Sequence, residues 1–122
     1  MPKILVVDDD DVARPVVVNL LKQAGHRVIE ACDGVEGVSK YEDERPDAVF
    51  MDITMPRMDG LNALVAIRRK DPKARVIMVT AAAEMQIAMT AIKKGARDYI
   101  VKPFKVQRIL AALEKVLDSN SG

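Results

Sequence analysis

A doubly wound α/β sheet of five parallel strands is the fold class this sequence predicts, and three observations carry it. Five short apolar runs recur at intervals of roughly two dozen residues, and segments with helical apolar spacing lie between and after them. The chain of 122 residues has room for one well-buried core and too little for two ordinary domains. An apolar run without alternation, bounded by turns, suits a strand covered on both faces, and helices between successive strands supply that cover by right-handed crossovers.

The first run, "ILVV" (4–7), is followed by Val16, Leu20 and Leu21 at helical spacing. Pro15 falls inside this helix, where it removes an amide donor and crowds the carbonyl of Asp11, so the helix starts late or bends. The second run, "VIEA" (28–31), precedes Val35 and Val38; the third, "AVFM" (48–51), precedes Leu61, Leu64, Val65 and Ile67. Gly60 is expected to end the intervening loop with a backbone conformation that other residues resist. The fourth run, "VIMV" (76–79), precedes Met89 and Ile92; the fifth, "YIV" (99–101), precedes Ile109, Leu110, Leu113, Val116 and Leu117. Methionine at helical spacing is more often core, which places Met89 inside and leaves Met85 open between core and an adaptable partner surface. The tail "DSNSG" (118–122) is expected to fray, and residues 1–122 form one domain.

Nineteen basic against eighteen acidic residues give a formal net charge of +1, so bulk electrostatics favours neither nucleic acid nor an anionic membrane. No apolar run approaches about twenty residues, and the N-terminus lacks the order of a secretion signal. The chain therefore reads as soluble and cytoplasmic. Cys32 is the single cysteine and is expected to fill space rather than react. His26, in "QAGHRV", is expected as an exposed turn histidine rather than a metal ligand.

In doubly wound sheets the functional surface lies at the carboxyl ends of the strands. The first strand runs into Asp8, Asp9, Asp10 and Asp11; the third ends in Asp52, the fourth in Thr80, and the fifth in Lys102 followed by Pro103. Aspartates after a strand often cap the next helix, and Asp10 and Asp11 are assigned that role. Capping does not explain Asp52, Thr80 and Lys102 at three other strand ends. Two carboxylates about 4 Å apart repel by roughly 4 kcal/mol at an effective dielectric near 20, so a cation is missing. Magnesium (Mg²⁺) fits, because it takes one or two carboxylates and keeps water or phosphate oxygens elsewhere. With Lys102 it makes a pocket that tolerates a dianion beside Asp52, which points to phosphoryl transfer.

At these residues the sequence resembles the receiver domain of bacterial two-component response regulators, closest to the single-domain chemotaxis type. The motifs stand in order along essentially the whole chain: "VVDD" (6–9), "MDITMPRMDG" (51–60), "VTA" (79–81) and "VKPF" (101–104). The resemblance implies a flavodoxin-like sheet of strand order 2-1-3-4-5. It implies that Asp52 is the phosphoacceptor for a sensor histidine kinase or phosphotransfer protein. Asp9 would bind Mg²⁺ directly with Asp52 and the backbone carbonyl of Thr54, while Asp8 would act through a coordinated water. Lys102 would pair with the phosphoryl oxygens, Thr80 would close on them through its hydroxyl with the Ala81 amide, and Tyr99 would move inward behind Thr80. A downstream protein would read the altered face of the fourth helix, fifth strand and fifth helix. The family also implies a cis Lys102–Pro103 peptide, against the trans base rate for proline. Plain packing is the competing role for Tyr99.

Thr54 and Ala82 stand at the two positions whose side chains, in this family, help set the lifetime of the phosphoryl group. Ala82 has no polar atom with which to orient water, so slow self-dephosphorylation is expected. Two rival classes compete. "DDDDV" (8–12) also fits the nucleophile motif of haloacid-dehalogenase-like phosphatases, with Asp8 as nucleophile, but leaves Asp52 without a role. A flavodoxin-like cofactor binder needs amide and hydroxyl donors after the first strand, where four carboxylates would repel the cofactor phosphate. With no helix-turn-helix after residue 117, direct nucleic-acid binding is not expected.

Overall fold

The computed structural model describes residues 1–118. Strands and helices alternate as β1 (Lys3–Val7), α1 (Ala13–Gln23), β2 (Arg27–Ala31), α2 (Gly34–Glu44), β3 (Ala48–Asp52), α3 (Gly60–Lys70) and β4 (Val76–Ala81). A 3₁₀ turn (Ala82–Glu84) then leads into α4 (Met85–Lys93), β5 (Asp98–Lys102) and α5 (Val106–Leu117). The strands pair in parallel in the order β2-β1-β3-β4-β5, so the predicted fold class and strand order both hold. The chain steps outward from β1 to β2 and returns to β3, which makes neighbouring β1 and β3 the switch point.

Both faces of the sheet are covered, which is why the strands read as continuous apolar runs. On one face Leu5, Val49, Met51, Val76 and Met78 pack against Tyr41, Leu64, Ile67, Ala88 and Ala91 of α2, α3 and α4. On the other, Ile4, Phe50, Ile77 and Ile100 meet Val18 and Leu21 of α1 and Ile109, Leu113 and Val116 of α5. The buried residues of α3 and α5 recur at helical spacing: Gly60, Ala63, Leu64 and Ile67, then Ile109, Ala112, Leu113 and Val116. Each large side chain so buried contributes about 1.5–3 kcal/mol.

Several sequence expectations are corrected. α1 opens at Ala13, so Pro15 occupies its first turn, where a missing amide donor costs little, and the helix runs on to Gln23. Met89 is not core: it is 48% exposed, because the sheet-facing side of α4 is made by Ala88 and Ala91. Met85 is half-buried. Val16 and Val35 also face solvent. Cys32 is exposed rather than space-filling, and its thiol is held above its ordinary pKa by the Glu36 carboxylate. His26 is half-buried, with Nδ1 shielded from solvent and unpartnered. Gly60 does not have a positive φ; a side chain there would meet the Asp52 carbonyl oxygen at 2.1 Å, so close approach is what requires glycine. The left-handed position of that loop is Arg57, at φ 67°. Asp118 follows α5 at its C-cap, and the rest of the expected frayed tail, 119–122, lies outside the described residues.

Candidate functional site

Sheet register brings the strand ends together. Val7 pairs with Met51, Asp52 with Val79, and Ala81 with Lys102, so Asp8, Asp52, Thr80 and Lys102 converge at one edge. Asp8, Asp9 and Asp52 form a cluster in which one carboxylate oxygen from each lies within 4.8 Å of the others. Asp8 and Asp52 are buried, each 7% exposed, while Asp9 opens to solvent. Lys102 donates from Nζ to Asp52 Oδ1 at 3.2 Å. The Lys102–Pro103 peptide is cis.

Three carboxylates facing one ammonium leave an excess of negative charge. Burial pushes the Asp52 carboxyl up to about 6; Lys102 opposes that rise and Asp8 adds to it. Burial alone would lower Lys102, but the carboxylates of Asp52, Asp8 and Glu84 outweigh it and hold the ammonium above its ordinary value. Oxygen-only donors with surplus negative charge and one solvent-facing member fit a hard divalent cation.

Thr80, Ala81 and Thr54 hydrogen-bond to partners other than Asp52. Thr80 is fully buried and its hydroxyl donates to the Ala81 carbonyl at 2.9 Å, not toward Asp52. The Ala81 amide donates to Glu84 Oε1 at 3.2 Å, and the hydroxyl of exposed Thr54 donates to Glu84 Oε2. Tyr99 is half-buried, packed on the face that carries α2, α3 and α4. Asp10 accepts from the amides of Val12 and Ala13 at 2.8 and 3.1 Å, and Asp11 pairs with Arg14 at 2.9 Å, so both serve the start of α1.

Sequence reading missed three contributors. Arg14 straps the site's flank, donating to the Asp8 carbonyl at 2.6 Å and to Asp11 and Glu30. Arg57 pairs with Asp33 Oδ2 at 2.7 Å from Nη2 and 2.9 Å from Nε, tying the loop after Asp52 to the start of α2. Glu84 was legible only as a glutamate three residues after Ala81, the spacing at which a side chain caps a helical turn.

A family model described as "Response regulator receiver domain" matches residues 4–114. The chain belongs to the response regulator receiver domain family. As a receiver domain it is 50% identical over 116 residues to the chemotaxis protein CheY of Listeria monocytogenes, covering 94% of this chain and 98% of that one. To the chemotaxis protein CheY of Bacillus subtilis it is 44% identical over 117 residues, covering 95% and 98%. Among solved structures, the receiver domain of NtrX from Brucella abortus superposes with a TM-score of 0.92 at 35% identity, covering 96% of this chain and 99% of that one. The receiver domain of a sensor histidine kinase from Pseudomonas aeruginosa, with magnesium coordinated in its active-site cleft, gives 0.89 at 32% identity, covering 97% and 98%. Receiver domains of the CheY type are signalling domains of two-component systems. Among the described residues, no helix is long and apolar enough to cross a membrane.

Proposed function

We propose that residues 1–122 act as a cytoplasmic phosphorylation-dependent signalling switch, in which Asp52 accepts a phosphoryl group from a sensor histidine kinase or phosphotransfer protein. The observation that carries this reading is the buried Asp52 carboxylate, clustered with Asp8 and Asp9 and held by Lys102 at 3.2 Å. An oxygen of Asp52 attacks the phosphorus of a phosphohistidine, the P–N bond breaks, and its electrons pass to the imidazole of the donor. The product is an acyl phosphate on Asp52. Lys102 stabilises the phosphoryl oxygens through its fixed positive charge.

Asp8, Asp9, Asp52 and the backbone carbonyl of Thr54 would hold Mg²⁺, Asp8 acting through a coordinated water. Bound there, the ion supplies the charge neutralisation that lets a dianion approach a carboxylate cluster. Thr80 turns its hydroxyl from the Ala81 carbonyl to the phosphoryl group, and Tyr99 fills the space it leaves. That rearrangement alters the face of α4, β5 and α5 that a downstream protein reads. The chain acts as phosphoacceptor rather than as an enzyme on a separate substrate, and makes no direct contact with nucleic acid.

The test is incubation with Mg²⁺ and acetyl phosphate, followed by intact mass and mapping of the labelled residue. Addition of one phosphoryl group to the wild type and none to Asp52→Asn supports the reading. A label on Asp8 would instead support the phosphatase-like alternative.

A further inference from the structure

Two donors at the carboxyl ends of β3 and β4 are engaged by a single carboxylate. The Ala81 amide, at the β4 position paired with Lys102, donates to Glu84 Oε1 at 3.2 Å, and the Thr54 hydroxyl, two residues after Asp52, donates to Glu84 Oε2. One carboxylate thus bridges the chain just beyond β3 to the end of β4. We infer that Glu84 is an intramolecular occupant of the phosphoryl-oxygen subsite, a gate that must leave the Ala81 amide before the acyl phosphate can be stabilised there. This rests on the reading of Asp52 as phosphoacceptor.

The chemistry favours a gate over a passive cap. A carboxylate offers the same acceptor atoms as a phosphoryl oxygen, so the two compete for one amide. They also repel, so a dianion on Asp52 disfavours Glu84 in its present position. Glu84 closes a 3₁₀ turn whose other members, Ala82 and Ala83, are exposed, so nothing packed on those two residues resists its outward swing. The turn continues directly into α4, on which Ile87 and Met89 are 39% and 48% exposed. Release of Glu84 therefore undoes the cap at the entrance to α4 and couples the charge at Asp52 to that outer surface.

Glu84→Gln keeps an acceptor for the Ala81 amide but removes the charge, and Glu84→Ala removes both. Binding of beryllium fluoride in Mg²⁺ is followed through the Ala81 amide resonance and by thermal shift, because the chain has no tryptophan to report it. Glu84→Ala is expected to bind roughly tenfold tighter than wild type, the worth of one charge-assisted hydrogen bond, with Glu84→Gln between them. The Ala81 resonance of metal-free Glu84→Ala is expected to shift away from its wild-type position. Equal affinity in wild type and Glu84→Ala, or an Ala81 resonance unmoved by the substitution, overturns the gate. Equal gains in both variants overturn it too, because charge alone would then explain the effect. Labelling by acetyl phosphate separates the two readings: no phosphoryl uptake on Asp52 in wild type or either variant defeats the phosphoacceptor assignment, whereas uptake with unchanged beryllium fluoride affinity defeats only the gate.

Discussion

Lys102 Nζ lies 3.2 Å from Asp52 Oδ1, yet the pKa of Asp52 still stands at about 6, above the ordinary carboxyl value. Burial outweighs the ammonium, and Asp8 reinforces burial. Relative to the unfolded chain, the metal-free folded state therefore favours the protonated form of Asp52. The stability this confers is fully present below about pH 4 and is lost as pH rises through about 6. Asp52→Asn should accordingly be more stable than wild type near neutral pH without metal, by about 1–2 kcal/mol after allowing for the lost Lys102 contact. Urea melts in EDTA across this range should show the gap closing on acidification, and a less stable Asp52→Asn at neutral pH would contradict the balance.

Gly60 admits no side chain, since a Cβ would lie 2.1 Å from the carbonyl oxygen of Asp52 and 2.9 Å from Ile53 Cα. Both neighbours are backbone and cannot rotate away. Gly60→Ala should destabilise the fold by about 2–4 kcal/mol and reduce phosphoryl uptake, because the end of β3 must move. Chemical denaturation and intact mass check the two effects separately. A variant with wild-type stability would show that α3 can shift at little cost.

Arg57 adopts a left-handed conformation while its guanidinium clamps Asp33. Glycine relieves the backbone and loses the ion pair; alanine loses the pair and keeps the strain. Arg57→Gly should therefore be more stable than Arg57→Ala by about 1 kcal/mol. Thermal melts of the two variants measure that difference directly, and equal midpoints would mean the loop reshapes itself.

Ala82 is exposed on the turn beside Ala81 and offers no side-chain hydrogen-bonding atom. A polar replacement that orients water should accelerate phosphoryl loss by up to about tenfold, the worth of one hydrogen bond of roughly 1.4 kcal/mol. Time courses of labelled Ala82→Gln against wild type provide the check. An unchanged half-life would remove this side chain from the control of phosphoryl lifetime.

Leu64→Ala, on α3, tests the core itself. This fully buried side chain packs in the cluster with Met51 and Met78, and its truncation should cost about 2–5 kcal/mol. Denaturant midpoints read the loss; a cost below about 1 kcal/mol would mean the site collapses around the gap.

The strands were legible because burial on both faces leaves a run such as Val49–Met51 no polar alternation to blur it. Asp8, Asp52, Thr80 and Lys102 were legible because each interrupts such a run at its carboxyl end, where a core strand would continue apolar. Met89 was misread because spacing fixes which residues share a helix face, not which face meets the sheet; the small Ala88 and Ala91 took that side. Gly60 was singled out correctly for the wrong reason, since composition does not distinguish a required φ from a close approach.

Linear order and local chemistry were sufficient to specify the alternating elements, the two-sided core and the carboxylates at the strand ends, because these follow from period, length and the cost of a charge in an apolar run. Folding alone settled who holds whom: Glu84 on the Ala81 amide and Thr54 hydroxyl, Arg57 on Asp33, Lys102 on Asp52. Those partners are separated by as few as 3 and as many as 50 residues, and a hydrogen bond depends on ångström-scale placement that only the packed strand ends and loops supply.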